Sequence, residues 1–379
     1  MLSKKENEKL SGVGPGTPVG KLLRRYWHPV AVAAELSAKP IKRVRILSED
    51  LVLYRCEGGY GLLAERCAHR GASLAYGRIE GDYIRCPYHG WMYTRDGKCV
   101  EQPAEPSNST YKERIRQRAY AVDELAGLLF VYMGPQPAPL LPAYDVLVRK
   151  DGERRLVVLP QLDCNWLQPM ENSVDPTHTH YLHGAGRGKP VHGERPAEIK
   201  KYEFELFEYG IMKKRLAEKG DGALEVVNQH PLVFPNMLRQ CHGREHYLQY
   251  RVPADDTHTL FFEIYFIESK DGSAVEQPED PPVHYAAPAK NPDGTYKMEK
   301  VWMQDYMAWE TAGPVFERSH EHLATADRGI LIYRKMLKAE IDKVKRGKDP
   351  MGVVRDAAKN RLIAFHTITD SKREVGQSR

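Results

Sequence analysis

From Trp27 onward the chain alternates apolar and polar positions in short runs. Val44-Arg-Ile-Leu47, Leu51-Val-Leu-Tyr54 and Leu62-Leu-Ala64 are separated by Ser48-Glu-Asp50 and by Gly58-Gly59, which is the texture of strands joined by tight turns. It continues through Tyr83-Ile-Arg85, Met92-Tyr93, a turn at Arg95-Asp-Gly97 and Gly127-Leu-Leu-Phe-Val-Tyr132. A small antiparallel β domain over residues 27–134 follows. Before it, Gly14-Pro-Gly-Thr-Pro-Val19 is a turn-rich lead-in and Gly20 to Tyr26 a short helix, so residues 1–26 form an N-terminal extension.

Gly134-Pro-Gln-Pro-Ala-Pro-Leu-Leu-Pro142 has neither helical nor strand period and is stiff, so 135–142 is expected to be a linker and the domain boundary. Beyond it, alternation returns at Leu156-Val-Val-Leu159, Tyr202-Glu-Phe-Glu-Leu-Phe207 and Leu260-Phe-Phe-Glu-Ile-Tyr-Phe-Ile267, predicting a second, larger sheet. Helices are predicted over Asn165 to Leu182, Lys300 to Thr311 and Ile330 to Val344, the last with apolar residues at 330, 333, 337, 341 and 344. Gly272 to Gly294, rich in Pro, Asp and Glu, reads as a long loop. The fold class is α+β: the small β domain, then a larger domain of helices on an antiparallel sheet over 143–379.

A chain of 379 residues has ample length for two domains. Its 56 basic and 51 acidic residues give +5, too mild a charge to imply nucleic acid. Lys335 to Lys348 is interrupted by Glu340, Asp342 and apolar residues, as on a solvated helix face. No apolar run of about 18 residues occurs, and the start Met1-Leu-Ser-Lys-Lys-Glu-Asn-Glu-Lys9 lacks the apolar centre of a signal peptide, so a soluble cytoplasmic protein is expected. Of six cysteines, Cys56, Cys99, Cys164 and Cys241 are scattered and read as reduced thiols.

The other two belong to Cys67-Ala68-His69 and, sixteen residues on, Cys86-Pro87-Tyr88-His89. Two thiolates with two imidazoles suit tetrahedral zinc or a Rieske cluster, in which two histidines replace two cysteines on one of two irons. Zinc fingers place their histidines as a terminal pair, whereas here each loop supplies one Cys and one His. Each loop also carries a glycine, Gly71 or Gly90, that lets the backbone turn and aim amides at cluster sulfurs.

A second constellation is Glu171-Asn-Ser-Val-Asp175-Pro-Thr-His178-Thr-His180-Tyr-Leu-His183-Gly184. On an ideal helix His178 and His183 lie about 140° apart, so shared ligation needs the helix to bend or end, and Gly184 marks an end. Asp175 lies one turn before His178, where its carboxylate can accept from the ring nitrogen that a metal does not use.

With both motifs in this order, the chain resembles the Rieske non-haem iron oxygenases, specifically their catalytic α subunits in the phthalate-dioxygenase-like branch. The resemblance spans nearly the whole chain, including Gly14-Pro-Gly-Thr-Pro, Tyr26-Trp27, His69-Arg-Gly-Ala-Ser73 and Gly313 to Asp327. It implies a Rieske 2Fe-2S cluster on Cys67, His69, Cys86 and His89, and a mononuclear Fe(II) on His178, His183 and one carboxylate. Asp305, in Val301-Trp-Met-Gln-Asp305-Tyr-Met-Ala-Trp-Glu310, is the candidate, since a carboxylate on an otherwise apolar helix needs a partner; Glu310 and Asp327 are alternatives. Asn172 sits where the family places a side chain near the iron without firm ligation. His180 matches no ligand and is expected to line the pocket, with Trp166, Trp302 and Trp309 as core or pocket wall.

The resemblance further implies an oxygenase component that uses O2 to hydroxylate, singly or as a cis-diol, an aromatic substrate with or without a carboxylate. O- or N-demethylation is the alternative within the family, and a non-catalytic Rieske electron carrier or a zinc adaptor are the alternatives outside it. The chain has no Gly-rich dinucleotide fingerprint, so NAD(P)H and flavin belong to a partner reductase, with a ferredoxin possible. A homotrimer, or stacked trimers, would set one copy's cluster against its neighbour's iron, with Asp175 as the bridge. After His183, Arg187, Lys189, Arg195, Lys200, Lys201, Lys213, Lys214, Arg215, Arg239 and Arg244 are either solvated or include one or two arginines that clamp a substrate carboxylate.

Overall fold

The computed structural model describes residues 2–183, 199–218, 220, 222–278 and 280–368. Its first half holds helices α1 (Lys4–Ser11), α2 (Pro18–Leu23) and α3 (Ala33–Ala38). With them are strands β1 (Trp27–Val32), β2 (Ile41–Ile46), β3 (Glu49–Cys56), β4 (Gly59–Ala64), β5 (Arg78–Glu80), β6 (Tyr83–Arg85), β7 (Met92–Tyr93), β8 (Cys99–Glu101), β9 (Ala119–Leu125) and β10 (Leu128–Tyr132). They form a six-stranded antiparallel sheet, β1-β10-β9-β4-β3-β2, and a four-stranded one, β5-β6-β7-β8.

The second half holds α4 (Asp145–Val148), α5 (Leu167–Asn172), α6 (His178–Tyr181), α7 (Val301–Thr311) and α8 (Arg328–Lys345). Its strands are β11 (Gly152–Leu162), β12 (Ile199–Phe207), β13 (Gly210–Glu218), β14 (Leu224–Val233), β15 (Met237–His242), β16 (Glu245–Pro253), β17 (Thr259–Glu268) and β18 (Val283–Tyr285). They make one eight-stranded sheet, β12-β13-β14-β15-β16-β17-β11-β18, antiparallel except for β18 beside β11. The α+β class holds. Among the described residues no helix is long and apolar enough to cross a membrane.

Two expectations of local structure change. The predicted helix from Asn165 to Leu182 is two short ones, α5 and α6, parted at 173–177. Pro176 has no amide to give and steers Asp175 away from helical ψ, so the chain breaks before His178 rather than after it. The stretch from Gly272 to Gly294 contains β18, which extends the sheet. Helix α1, missed for lack of a strong apolar stripe, starts at a capping box in which Ser3 and Glu6 exchange hydrogen bonds.

Residues on both sides of the proline segment share one core. Val30 and Phe130 pack with Leu248, Tyr250, Tyr333 and Leu337, and the Phe130 and Tyr250 rings meet edge to face at 5.7 Å. The proline segment is pinned along its length. Trp27 Nε1 donates to Pro139 O at 2.9 Å, Leu140 N to Val354 O at 2.9 Å and Arg355 Nη1 to Pro137 O at 3.0 Å. A smaller core of Val52, Tyr54, Leu63, Ile84, Trp91 and Tyr93 lies under Cys67 and Cys86. There Gly61 is required, because a Cβ would sit 2.4 Å from the Tyr54 ring.

The end of α5 is fixed by buried charge. The Glu171 carboxylate accepts from Arg318 Nε at 2.8 Å and from Arg334 Nε at 2.6 Å. Arg334 also forks onto Glu321, and Arg318 Nη1 reaches Asn7 Oδ1 of α1 at 3.1 Å. Two guanidinium groups and two carboxylates thus join α1, α5, α8 and the segment after α7. Breaking such a pair strands a buried charge. Glu171→Ala is expected to cost about 3–5 kcal/mol in denaturant-induced unfolding. A loss under about 1 kcal/mol would show that the network is dispensable.

Candidate metal centres

The two Cys-His loops have the same construction. In the first, Gly71 N donates to Cys67 O and Cys67 N to Ala72 O, both at 2.9 Å; in the second, Gly90 N donates to Cys86 O at 3.2 Å and Cys86 N to Trp91 O at 2.8 Å. Gly71 (φ 75°) and Gly90 (φ 73°) take the left-handed conformation that closes each loop, at little cost only for glycine. Gln117 staples the first loop: its Oε1 accepts from Ala68 N at 2.8 Å and its Nε2 donates to the Ala64 and Arg66 carbonyls. Nothing near Gln117 in the sequence marks this role.

The fold brings the four candidate cluster ligands together. Cys67 and Cys86 are buried and free, and the His69 and His89 rings lie 4.6 Å apart. Tyr93 Oη meets Cys67 Sγ at 3.1 Å, and Trp91 stacks flat on His69 at 4.3 Å. Burial, with the Cys86 thiol beside it, pushes the Cys67 thiol up, and His69 Nδ1 is buried without a hydrogen bond. Two thiols that lack a counter-charge and an orphaned imidazole nitrogen fit an iron-sulfur cluster.

The second group is smaller. His178 comes from α6, His183 follows α6, and Asp305 projects from α7; one ligand atom of each lies within 4.8 Å of the others. His183 Nε2 is 3.3 Å from Asp305 Oδ1, and His178 Nε2 is 4.0 Å from it. Asp305 Oδ1 is buried and accepts no hydrogen bond among the described residues, and two imidazoles with one carboxylate are a donor set that suits a divalent cation. The far side of the His183 ring is hydrogen-bonded, and that of the His178 ring faces a carboxylate. His183 Nδ1 meets Gln304 Oε1 at 2.8 Å, and Gln304 Nε2 is anchored on Met298 O at 2.8 Å. His178 Nδ1 lies 3.4 Å from Asp175 Oδ2, and Thr177 N donates to Asp175 Oδ1 at 2.7 Å. Burial alone would raise the Asp175 carboxyl, but His178, the Thr177 amide and Lys213 outweigh it and bring the pKa to about 2. At His183 burial opposes protonation, and Asp305 more than compensates. Asn172 ends α5, where its carbonyl accepts from Asp175 N at 3.0 Å.

The alternative carboxylates are engaged elsewhere. Glu310 pairs with Lys290 at 2.7 Å and accepts from Asp163 N and Tyr296 Oη, while Asp327 accepts from Ala324 N at 2.7 Å. Trp166 is fully buried, Trp302 is half-buried against Tyr306, and Trp309 lies over Arg251. The basic residues after His183 divide. Lys200, Lys201 and Lys214 form surface pairs with Glu218, Glu203 and Glu205, Arg244 bonds to Glu268 O, and buried Arg239 forks onto Asp145. Lys213 and Arg215 are buried beneath the histidines. Arg187, Lys189 and Arg195, with Gly184 and the His180 side chain, lie outside the described residues.

Arg251, on β16, was not singled out by sequence, because a single Arg in an alternating strand carries no signal of burial. Its guanidinium lies between Phe261 and Trp309, 5.3 and 5.6 Å from their rings, and donates to Ser173 Oγ and Gln249 Oε1. It has no carboxylate partner among the described residues, and its Nε is unpartnered.

The protein is expected to be red-brown, and Cys86→Ser to abolish the visible absorption of the cluster. Asp305→Ala is expected to lower iron from three to two per chain while leaving the cluster spectrum intact. Retention of the third iron after Asp305→Ala, by metal analysis, would place the carboxylate ligand elsewhere.

A family model, Rieske [2Fe-2S] domain, matches residues 26–115, and a second, LigXa C-terminal domain like, matches 293–377. The chain is 39% identical to the 5,5'-dehydrodivanillate O-demethylase oxygenase subunit of Sphingobium sp. (strain NBRC 103272 / SYK-6), over 97% of this chain and 87% of that protein. It is 36% identical to the phenoxybenzoate dioxygenase subunit alpha of Ectopseudomonas oleovorans, over 91% and 87%. The oxygenase in the oxygenase and ferredoxin complex of carbazole 1,9a-dioxygenase shares the fold, with a TM-score of 0.64 at 18% identity over 95% of this chain and 96% of that one. With such coverage by relatives in both halves, the chain belongs to the Rieske non-haem iron oxygenases, enzymes whose oxygenase component carries a 2Fe-2S cluster and a mononuclear iron.

Proposed function

We propose that this oxygenase acts on an aromatic carboxylate. The observation that carries the reading is the face of the large sheet turned to α5 and α6. Cross-strand register puts Lys213 and Arg215 of β13 on one face with Asn228 and His230 of β14, and Gln249 and Arg251 of β16 on that face with Phe261 and Glu263 of β17. Lys213 Nζ donates to Ser173 O at 3.0 Å and Arg215 Nη2 to Thr179 Oγ1 at 2.9 Å, which sets this face under the candidate iron ligands. Lys213, Arg215 and Arg251 are all at least nine-tenths buried, at 3%, 6% and 3% exposure. Burial, helped by Arg215, depresses Lys213 to about 7. Arg251 makes no ion pair among the described residues, a buried cation in that position is costly, and a substrate carboxylate would supply a matching charge through paired N–H donors. The names of the two relatives, a dehydrodivanillate O-demethylase and a phenoxybenzoate dioxygenase, denote acids of this class.

Within this reading, Cys67, His69, Cys86 and His89 hold the cluster, and His178, His183 and Asp305 hold the iron. When bound, these groups supply one-electron transfer and dioxygen activation. Gln304 and Asp175 fix the two imidazoles so that their other nitrogens face Asp305. Asn172 stands beside the iron without ligating it. Arg251 and Lys213 hold the carboxylate, and Phe261 and Trp309 wall the ring. Hydroxylation of the aromatic ring is the primary outcome. O-demethylation is the second reading, favoured by the 39% identity to an O-demethylase; there oxygen enters an O–CH3 carbon and the hemiacetal loses formaldehyde. Electrons come from a flavin and iron-sulfur reductase or a ferredoxin, and copies assemble head to tail as trimers, for which the pinned proline segment is the support. In that assembly Asp175 accepts from His178 of its own copy and from His69 or His89 of the next.

Substrate-dependent oxygen uptake tests the class. Benzoate-type acids are expected to be turned over, and Arg251→Met to lower kcat/KM for them about 10- to 100-fold, the worth of one charge-assisted bond pair. Equal turnover of the neutral amides would refute the carboxylate reading, and formaldehyde release separates demethylation from hydroxylation. Asp175→Asn is expected to keep both metals yet nearly stop re-oxidation of the reduced cluster in a single turnover; a wild-type rate would rule the bridge out.

A further inference from the structure

The cations around the cluster loops fall into two sets. Arg43, Arg45, Arg78, Arg85, Lys98 and Arg118 each pair with a carboxylate. Arg66, Arg70, Arg114 and Arg116 are exposed, Lys112 is half-buried, and none of the five makes an ion pair among the described residues. Arg116 Nη1 reaches only the carbonyls of Glu113 and Ile115, and Arg70 lies over the Tyr88 ring at 5.8 Å. These side chains come from two segments that touch. Arg66 and Arg70 flank the Cys67-His69 loop, and residues 111–117 run against it through the Gln117 staple to Ala68 N and Arg66 O. Two exposed acids, Glu105 and Glu113, stand among them, so five positive charges face two negative ones.

The same surface has an unbroken aromatic route inward. Tyr111 is 49% exposed, its ring meets Trp91 edge to face at 6.4 Å, and Trp91 stacks on His69 at 4.3 Å with an interplanar angle of 5°. A cationic rim around an exposed ring that is two contacts from a candidate cluster ligand has the features of an electron entry point.

We propose that an electron-transfer protein with an acidic surface, the reductase or ferredoxin, docks on Arg66, Arg70, Lys112, Arg114 and Arg116 and passes its electron through Tyr111 and Trp91 to His69. The proposal rests on reading Cys67, His69, Cys86 and His89 as the cluster ligands. In the step one electron leaves the donor, which is oxidised by one unit, the cluster is reduced by one, and no bond or proton moves. The head-to-tail copy meets the cluster loops at His69 or His89, and on the five cations themselves a second copy is the weaker occupant, because a chain of +5 opposes a positive face.

The test mixes oxidised holoenzyme with a chemically pre-reduced, acidic plant-type 2Fe-2S ferredoxin in a stopped-flow instrument and follows bleaching of the cluster. The second-order rate is expected to fall steeply with ionic strength. The double variant Arg114→Glu, Arg116→Glu is expected to lose about tenfold or more of that rate at low salt together with most of the salt dependence. Tyr111→Leu is expected to lower the limiting rate at saturating ferredoxin while keeping the salt dependence. Reduction by methyl viologen radical, which needs no docking, is expected to match wild type in all variants. The proposal is overturned if charge reversal leaves the ferredoxin rate and its salt dependence unchanged, or if wild-type protein reacts with the viologen and not with the ferredoxin. It is also overturned if reversal separates the copies in sedimentation without slowing reduction, since the face would then belong to a second copy. Absence of a Rieske electron-spin signal from the wild-type protein would instead overturn the cluster assignment, and the docking proposal with it.

Discussion

Both halves of the catalytic domain depend on how the end of α5 is held. Glu171 is gripped by Arg318 and Arg334 from the helical side, and two residues later Ser173 is gripped by Lys213 through its carbonyl and by Arg251 through its hydroxyl from the sheet side. Four buried cations converge on two residues. Carbonyls at a helix C-terminus carry partial negative charge, so cations are favoured there. The cations at Glu171 are balanced by that carboxylate and Glu321, whereas Lys213 and Arg251 on the sheet side make no ion pair among the described residues. From this fixed point the chain runs through Asp175 and Pro176 to His178, so an error in its position would be passed directly to the candidate iron ligands.

The large sheet serves two solvents with one alternating pattern. Leu248, Tyr250, Val252, Ile264 and Phe266 point into the main core, while their neighbours Gln249, Arg251, Glu263 and Tyr265 look to the other face. In most domains such alternation means core against water. Here the polar face is itself covered, and Arg251, Glu263 and Lys213 are as buried as the core residues beside them. Covered polar groups must be satisfied. Gln249 does part of this by linking Arg251 to Glu263.

The smaller domain solves a different problem, since its candidate cluster ligands sit on loops that would be mobile unless braced. Each loop closes on its own backbone through a glycine, and side chains behind it, Gln117, Tyr93 and Trp91, fill the space up to the sheet. Orientation of the imidazoles is thus decided by packing: Trp91 fixes the His69 plane, and Tyr88 lies 3.7 Å from the His89 ring.

The sequence by itself carried the two ligand-bearing loops, the His178-His183 segment, both sheets and helices α7 and α8. Each of these is written in contacts between residues a few positions apart, in a period or in the conformational needs of Gly and Pro. Asp305 was reachable because an acid on an apolar helix lacks a local explanation. What pairs with it was not: His183 and Gln304 are 121 positions apart, and only the packing of α7 over the sheet makes them neighbours. The break at Pro176, the sharing of one core across the proline segment and the burial of Lys213, Arg215 and Arg251 were likewise tertiary decisions. Whether a strand's polar face meets water or another layer depends on elements distant in sequence, and alternation reads the same in both cases.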